Sequence, residues 1–199
     1  MGKVTAHVSI SMDGFLAGPD QSEDNPLGVG GMLLHTWHLG EMTDPVDIAV
    51  TEDLLKQRGA YVMGRNMFGP VRGEWDRDWN GWWGDEPPYH APVFVLTHYA
   101  RESVDVEGGT TFHFVTEGFD AALQRAREVA GDLDIGIAGG ASTVRQALAS
   151  GALEQLTLDV SPVLLGQGER IFDGFSDRRF ELVDAATSPN ATHITYRVI

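Results

Sequence analysis

Apolar and polar positions recur at two periods along this chain, and the changes of period mark its elements. Val4–Ser11 (VTAHVSIS) is β-rich with partial alternation, then breaks at MDG into the glycine-containing DGFLAGPD, so a first strand feeds a loop. Residues 21–31 are polar and rich in Gly and Pro, an exposed excursion before a short helix expected over 32–39. A second helix is expected over 51–57, where Thr51 and the next two acids suit a helix start. A short strand at 61–63 ends on Gly64-Arg65, and residues 66–71 begin a helix that Gly73 interrupts. Between residues 74 and 90 stand Trp75, Trp79, Trp82 and Trp83 among glycines, acids and a Pro-Pro pair, which predicts a folded loop without regular structure.

After that loop the two periods alternate clearly. APVFVLTH and TTFHFV read as strands, and Phe119–Ala130 as an amphipathic helix with Arg125 and Arg127 on its solvated face. Residues 135–138 form a strand, and 142–149 a helix opening after a double glycine. Residues 153–165 form a strand, GQGERIFDGF a turn-rich connection, and 180–186 with Thr192–Val198 a closing hairpin across 188–191. This order predicts an α/β fold with a mostly parallel central sheet and an antiparallel C-terminal hairpin.

Composition narrows the class. With 199 residues, 42% of them hydrophobic, one domain spanning 1–199 can bury its own core, with the Trp-rich loop an insertion at about 69–91. No apolar run approaches the roughly 20 residues of a membrane-spanning helix. MGKVTAHVSIS leads straight into a strand, and a cytoplasmic protein without membrane contact is expected. The absence of cysteine removes disulfides, thiolate metal sites and cysteine nucleophiles together. A formal net charge of −15, from 29 acids against 14 Lys plus Arg, argues against a nucleic-acid partner. An anionic ligand must then find a local positive patch beside a glycine-rich turn.

Three strand-to-loop junctions offer one: Met63-Gly64-Arg65, Leu96-Thr97-His98 and Ala138-Gly139-Gly140-Ala141-Ser142-Thr143. Ligands of open α/β sheets collect at the carboxyl ends of the strands, where all three emerge. The double glycine permits close backbone approach, and the helix start after it presents N–H groups and a favourable dipole to a phosphate. Arg65 adds charge, while Thr97 and His98 add hydrogen bonds. No GxGxxG follows the first strand, so a nucleotide site here is not of the usual Rossmann kind.

Taken in order, SMDGFLAG, YVMGRNMF, PVFVLTH, IAGGAST and LTLDVSPVLLGQGERIF resemble the dihydrofolate reductase superfamily. The closest branch is the reductase half of the bifunctional riboflavin deaminase-reductases in its stand-alone form. The resemblance implies a three-layer fold, NADPH as cofactor, a small-molecule substrate and a homodimer, with PVLLGQGERIF either at the subunit contact or simply a connection. It implies that Ser9, Leu16, Ala17 and Gly18 line the nicotinamide, and that Gly64 and Arg65 cradle phosphate, with Asn66 and Met67 opening the adjoining helix. Thr97 and His98 would meet the adenosine ribose and its extra phosphate, with Leu96 against the adenine. Gly139 and Gly140 would lie under the pyrophosphate, with Ala141, Ser142 and Thr143 giving helix-start contacts.

The chemistry so implied is hydride delivery to a C=N or C=O carbon of a small heterocycle. The ribosylamino-pyrimidine of riboflavin synthesis is one such substrate, a dihydrofolate or pterin another. A nucleotide-binding module without catalysis is the reading from a different class. Relatives in the riboflavin pathway often carry an acid before the glycine pair, where this chain has Ile137-Ala138, and the first-helix acid of dihydrofolate reductases has only Glu41, Asp44 and Asp47 as loose counterparts. Candidate catalytic acids are Asp159 and Asp13. Asp159 stands among Leu156, Leu158, Val160 and Val163, where burial would raise its pKa and suit it to proton donation or substrate anchoring. Asp13 does the same or caps a turn. Trp37 packs the core or the pocket, and the tryptophan loop is an aromatic lid or, more in keeping with its irregular backbone, self-anchored. His35 and His38 stand three apart without a third ligand, so no metal site is expected.

Overall fold

The computed structural model describes residues 2–199. Its strands are β1 (Val4–Ser11), β2 (Phe15–Ala17), β3 (Ala60–Gly64), β4 (Pro92–Leu96), β5 (Val104–Val106), β6 (Thr110–Val115), β7 (Ile135–Gly139), β8 (Gln155–Ser161), β9 (Glu169–Arg170), β10 (Phe180–Thr187) and β11 (Thr192–Val198). The helices are α1 (Pro45–Leu54), α2 (Arg65–Phe68), α3 (Phe119–Ala130) and α4 (Ala141–Ala149). One sheet runs β10-β11-β8-β1-β7-β3-β4-β6-β5, and β2 pairs separately with β9. β3 lies parallel to β4 and β7, and β4 to β6, whereas β11 is antiparallel to both β8 and β10. The mostly parallel sheet with an antiparallel C-terminal hairpin is the α/β fold the alternation predicts. The chain forms two compact units, one built from the residues up to Thr5 with Gln57–Ala152, the other from Ala6–Lys56 with Leu153–Ile199.

In the first unit, Tyr61, Met63, Phe68, Val93, Val95 and Phe112 form a buried core. The tryptophan loop has no regular element, as expected, and it is anchored by its indoles. Trp75 Nε1 donates to Tyr99 O at 3.0 Å, Trp79 Nε1 to Phe68 O at 2.9 Å and Trp82 Nε1 to Asn66 O at 2.9 Å. A large ring with one donor can thus pack its body and tie down a backbone carbonyl together. The helix expected over 66–71 is the single turn α2, and β5, which the apolar pattern of only three residues did not predict, pairs antiparallel with β6.

The second unit corrects three expectations. The helix placed over 51–57 runs instead over Pro45–Leu54, started by Asp44, whose Oδ1 accepts the Val46 N–H at 2.9 Å with proline in the first turn. It was displaced because its buried face is polar: Asp47 and Thr51, one turn apart, point inward, so apolar periodicity reports nothing. The helix expected over 32–39 is a 3₁₀ turn at Gly31–His35. The supposed turn-rich GQGERIF contributes β9, which clasps β2 at Phe15↔Arg170 and Ala17↔Glu169.

That clasp explains one motif glycine. Gly168 has φ +136°, and a Cβ on it would stand 2.0 Å from Ala17 O, whereas Gly166 at φ +75° meets nothing within 4 Å. Gly168→Ala is therefore expected to break the β2–β9 pairing and lower stability by ~3 kcal/mol or more, and Gly166→Ala by only ~1 kcal/mol. Thermal unfolding of the two variants checks this. Equal losses would show that conformation, not backbone contact, is the constraint.

Candidate active site

The first unit carries the three strand-end junctions, and the second carries the candidate acids. In the first, β3, β4 and β7 are neighbours and parallel, with Gly64 level with Leu96 and Met63 with Gly139, so all three junctions emerge side by side. A Cβ on Gly64 would lie 2.8 Å from Thr143 Oγ1, a close approach that only glycine permits. Gly140 begins α4 with no side-chain cap, while Ala141 and Thr143 are buried and Ser142 is exposed. Met67 packs 3.5 Å from where a Gly139 Cβ would stand. Arg65 donates through Nη1 to Thr97 Oγ1 at 2.8 Å and through Nη2 to Gly73 O at 2.7 Å, with its guanidinium 3.5 Å from the centre of the Trp75 ring. Its Nε is buried without a partner. Asn66 and His98 are exposed, and Leu96 is half-buried.

A positive charge with one unsatisfied buried N–H, an uncapped helix start and a glycine backbone open to approach together fit a dinucleotide phosphate. Gly64, Arg65, Thr97, Gly139, Gly140, Ser142 and Thr143 would hold it. Bound there, NADPH would supply a hydride.

The second unit holds a buried polar layer that the sequence reading did not see. On β8, Asp159 sits directly across from His193 of β11. His193 Nδ1 lies 2.7 Å from Asp159 Oδ1, and His193 Nε2 lies 3.0 Å from Asp47 Oδ1 of α1. Asp159 Oδ2 is 2.9 Å from Nε2 of His7 on β1. The side chains of Asp47, Asp159, His193 and His7 are between 1% and 7% exposed. Asp47 Oδ2 further accepts from Asn190 Nδ2 at 2.8 Å. The result is an alternating row, Asp47–His193–Asp159–His7. Trp37 covers it, fully buried, donating Nε1 to Ser9 Oγ at 3.0 Å, stacked on His7 and edge-on to His193. Trp37 thus seals the layer instead of simply packing apolar core.

The electrostatics of the row overturn the expectation for Asp159. Burial raises its pKa, but hydrogen bonds from His193 and His7 and their charges outweigh that and hold it below the ordinary carboxylate value. Burial likewise raises Asp47, and hydrogen bonds from Asn190, Ser188 and His193 bring it below normal. Burial lowers His193, and hydrogen bonds to the two carboxylates more than reverse it. Two ionised carboxylates only accept, so both nitrogens of His193 donate and the ring is an imidazolium. Asp159 is a charged partner, not a neutral acid. Asp13 is also accounted for: its Oδ1 accepts from Ser11 Oγ at 2.6 Å and Leu165 N at 3.1 Å, and its Oδ2 from Gly166 N at 2.7 Å. The Ser11 bond first, opposed by burial and helped by backbone bonds from Gly166, Leu165 and its own N–H, brings it to about 2. Asp13 clamps two loops. Of the residues expected at the nicotinamide, Ala17 and Gly18 are buried, Leu16 is half-buried and Ser9 is taken by Trp37.

His35 and His38 face each other, Nδ1 to Nε2, at 3.0 Å. Burial, then the charge of His38, pulls His35 down to about 4, and burial lowers His38. An unfolded histidine takes a proton near 6.5 while this folded pair resists it. Their contribution to stability is therefore present above 6.5 and lost as pH falls toward 4. The thermal midpoint is expected to decline between about pH 6.5 and 5, and His35→Asn to flatten that decline; an unchanged slope would contradict it. Among the described residues no three such groups converge as metal ligands, and no helix is long and apolar enough to cross a membrane.

His7 and His193 were missed as a site for one reason, and Asp47 was weighed only as a loose counterpart of a first-helix acid. In VTAHVSIS and THITYRV a polar residue at every second position reads as a solvated face, and only the presence of α1 and Trp37 above it makes that face interior.

Comparison with known structures agrees on the fold. A protein from Shewanella sp. PV-4, provisionally described as a riboflavin biosynthesis protein, superposes with a TM-score of 0.63 at 22% identity, covering 100% of this chain and 99% of that one. A pyrimidine reductase-like protein from Corynebacterium diphtheriae gives 0.60 at 18% identity, covering 100% and 92%. A diaminohydroxyphosphoribosylaminopyrimidine deaminase/5-amino-6-(5-phosphoribosylamino)uracil reductase from Thermotoga maritima gives 0.58 at 16% identity, covering 100% of this chain and 57% of that one, so the chain spans little more than half its length. No curated protein matches the sequence. The model of the RibD C-terminal domain matches residues 2–194, nearly the whole chain, and the protein belongs to that family.

Proposed function

We infer that this protein is an NADPH-dependent reductase that delivers hydride to a C=N or C=O carbon of a small heterocyclic metabolite. The observation that carries the reading is the first unit's cradle. Arg65, Thr97, the glycine pair and the uncapped start of α4 stand at the ends of three adjacent parallel strands in a member of the RibD C-terminal domain family. A single reductase domain is part of this reading, supported by one family model running through both units. The extra phosphate of NADPH, rather than NADH, is the natural partner of a guanidinium braced by Thr97.

Family membership makes 5-amino-6-(5-phosphoribosylamino)uracil the first substrate to try, with dihydrofolate as comparator. Loss of nicotinamide absorbance with the pyrimidine and not with dihydrofolate is expected. NADPH binding without consumption of either would favour a nucleotide-binding module, and no NADPH binding at all would remove the central claim.

A further inference from the structure

We propose that Arg101 is a second guanidinium of the cofactor cradle and that, together with Arg65, it selects a dinucleotide carrying a phosphate monoester, NADPH, over one without it. The proposal rests on the reductase reading and deepens it by naming a residue that sets cofactor choice. Both arginines belong to the first unit.

The two charges share one ring. The Arg65 guanidinium carbon stands 3.5 Å from the centre of the Trp75 indole, and that of Arg101 stands 4.9 Å from the same centre. Their separation is at most these two distances laid end to end, a span that one phosphate bridges by accepting from both. Backbone and a hydroxyl, not acids, hold them there. Arg65 donates to Thr97 Oγ1 and Gly73 O, and Arg101 donates through Nη1 to Trp79 O at 2.9 Å, its guanidinium also close to the rings of Phe68 and Phe114. Both keep donors in reserve. Arg65 Nε is buried without a partner, and among the described residues nothing accepts from Nε or Nη2 of Arg101.

Arg72 adds a third positive charge nearby, with its Nη1 bonded to Gly69 O at 2.8 Å. Burial first, and then the charges of Arg72 and Arg101, hold Arg65 below its ordinary pKa against the pull of Tyr99 and Asp76. Asp76 is turned to Arg77 at 3.4 Å, and Asp78 attracts Arg101 without bridging it. Among the described residues no carboxylate bridges Arg65, Arg72 or Arg101, although the chain has 29 acids for 14 Lys plus Arg. Like charges gathered without an acid between them repel until an anion joins them. The kind of anion follows from charge. The glycine pair and the start of α4 offer neutral N–H groups, which suit a pyrophosphate whose phosphates carry one charge each. A phosphate monoester carries about two charges at neutral pH, and two guanidiniums answer them.

Calorimetric titration with adenosine 2′,5′-bisphosphate and adenosine 5′-monophosphate reads this subsite without the nicotinamide. Wild type, Arg101→Met, Arg101→Lys and Arg72→Gln are compared; methionine keeps apolar contact with the aromatic rings and removes the charge. Arg101→Met is expected to weaken the bisphosphate by about 10-fold or more and to leave the monophosphate unchanged. Arg101→Lys should recover part of the loss, and Arg72→Gln should change the ratio little. An unchanged ratio in Arg101→Met would overturn the proposal, and so would equal weakening of both ligands, which marks loop packing. A loss in Arg72→Gln as large as in Arg101→Met would overturn it too, by tracing the effect to diffuse charge. NADPH consumption by wild type tests the underlying reading separately. Wild type that consumes NADPH while Arg101→Met keeps the ratio fails the proposal alone, and wild type that shows the expected ratios but consumes no NADPH fails the reductase reading alone.

Discussion

Replacing Arg65 by alanine is expected to weaken NADPH binding about 100-fold while leaving the protein folded. A charge-assisted hydrogen bond to phosphate is worth about 1.5–3 kcal/mol, which corresponds to a factor of roughly 10–150 in affinity. Arg65 makes its own bonds in a fixed plane, one to Thr97 Oγ1 and one to Gly73 O, over the face of Trp75. A lysine has neither the fork nor the plane, so Arg65→Lys is expected to lose most of the affinity too. Because Arg65 also fastens the tryptophan loop, Trp75→Ala serves as control: it removes the stack and keeps the charge. Fluorescence titration with NADPH at two salt concentrations separates the cases. Loss in Arg65→Ala together with a weaker salt dependence marks a phosphate contact. Equal loss in Trp75→Ala, with the salt dependence intact, would transfer the effect to loop packing.

Asp159→Ala is expected to destabilise the second unit strongly. It leaves the His193 imidazolium facing Asp47 alone and strips His7 of its carboxylate partner. Removing one partner of a buried ion pair costs about 3–5 kcal/mol, and since histidines can shed a proton the lower figure is expected. For a chain of this size that lowers the thermal midpoint by about 6–12 °C. Asp159→Asn, which keeps the shape and one acceptor, should lose less.

The pH dependence has a definite sign. His193 is raised above its ordinary value, so its stabilisation is fully present below about 6.5 and is lost as pH rises through the folded value. Asp159 and Asp47 are lowered, so theirs is present above the unfolded carboxylate value and is lost in acid. Wild type should therefore lose stability on the alkaline side from about pH 6.5 upward, and Asp159→Asn should lose that dependence in part. A calorimetric series in which both proteins decline alike above that pH would place the effect elsewhere.

The strand-end cradle was legible in the sequence because its parts are local. Gly64-Arg65, Thr97 and Gly139-Gly140 each close a short apolar run, and a parallel sheet brings such ends to one edge by topology alone. α3 was legible to the residue, since its buried Phe119, Ala122, Leu123, Ala126 and Ala130 keep helical spacing. α1 was not, since its inward face is Asp47 and Thr51. β9 was not, since a strand of two residues has no period and exists only because β2 lies beside it.

By itself the amino-acid order determined the α/β class and most of the element sequence, which follow from periodicity and from glycine at fixed places, while its ordered motifs carried the family resemblance. Only the tertiary structure decided what Asp159 is. An acid in LTLDVSP is a raised-pKa proton donor if it is buried alone and a lowered-pKa anion if imidazoles meet it, and His7 and His193 reach it from positions 152 and 34 residues away. Alternating polar positions look the same in a strand whether water or a helix covers them, so the charge state of that face is set by packing.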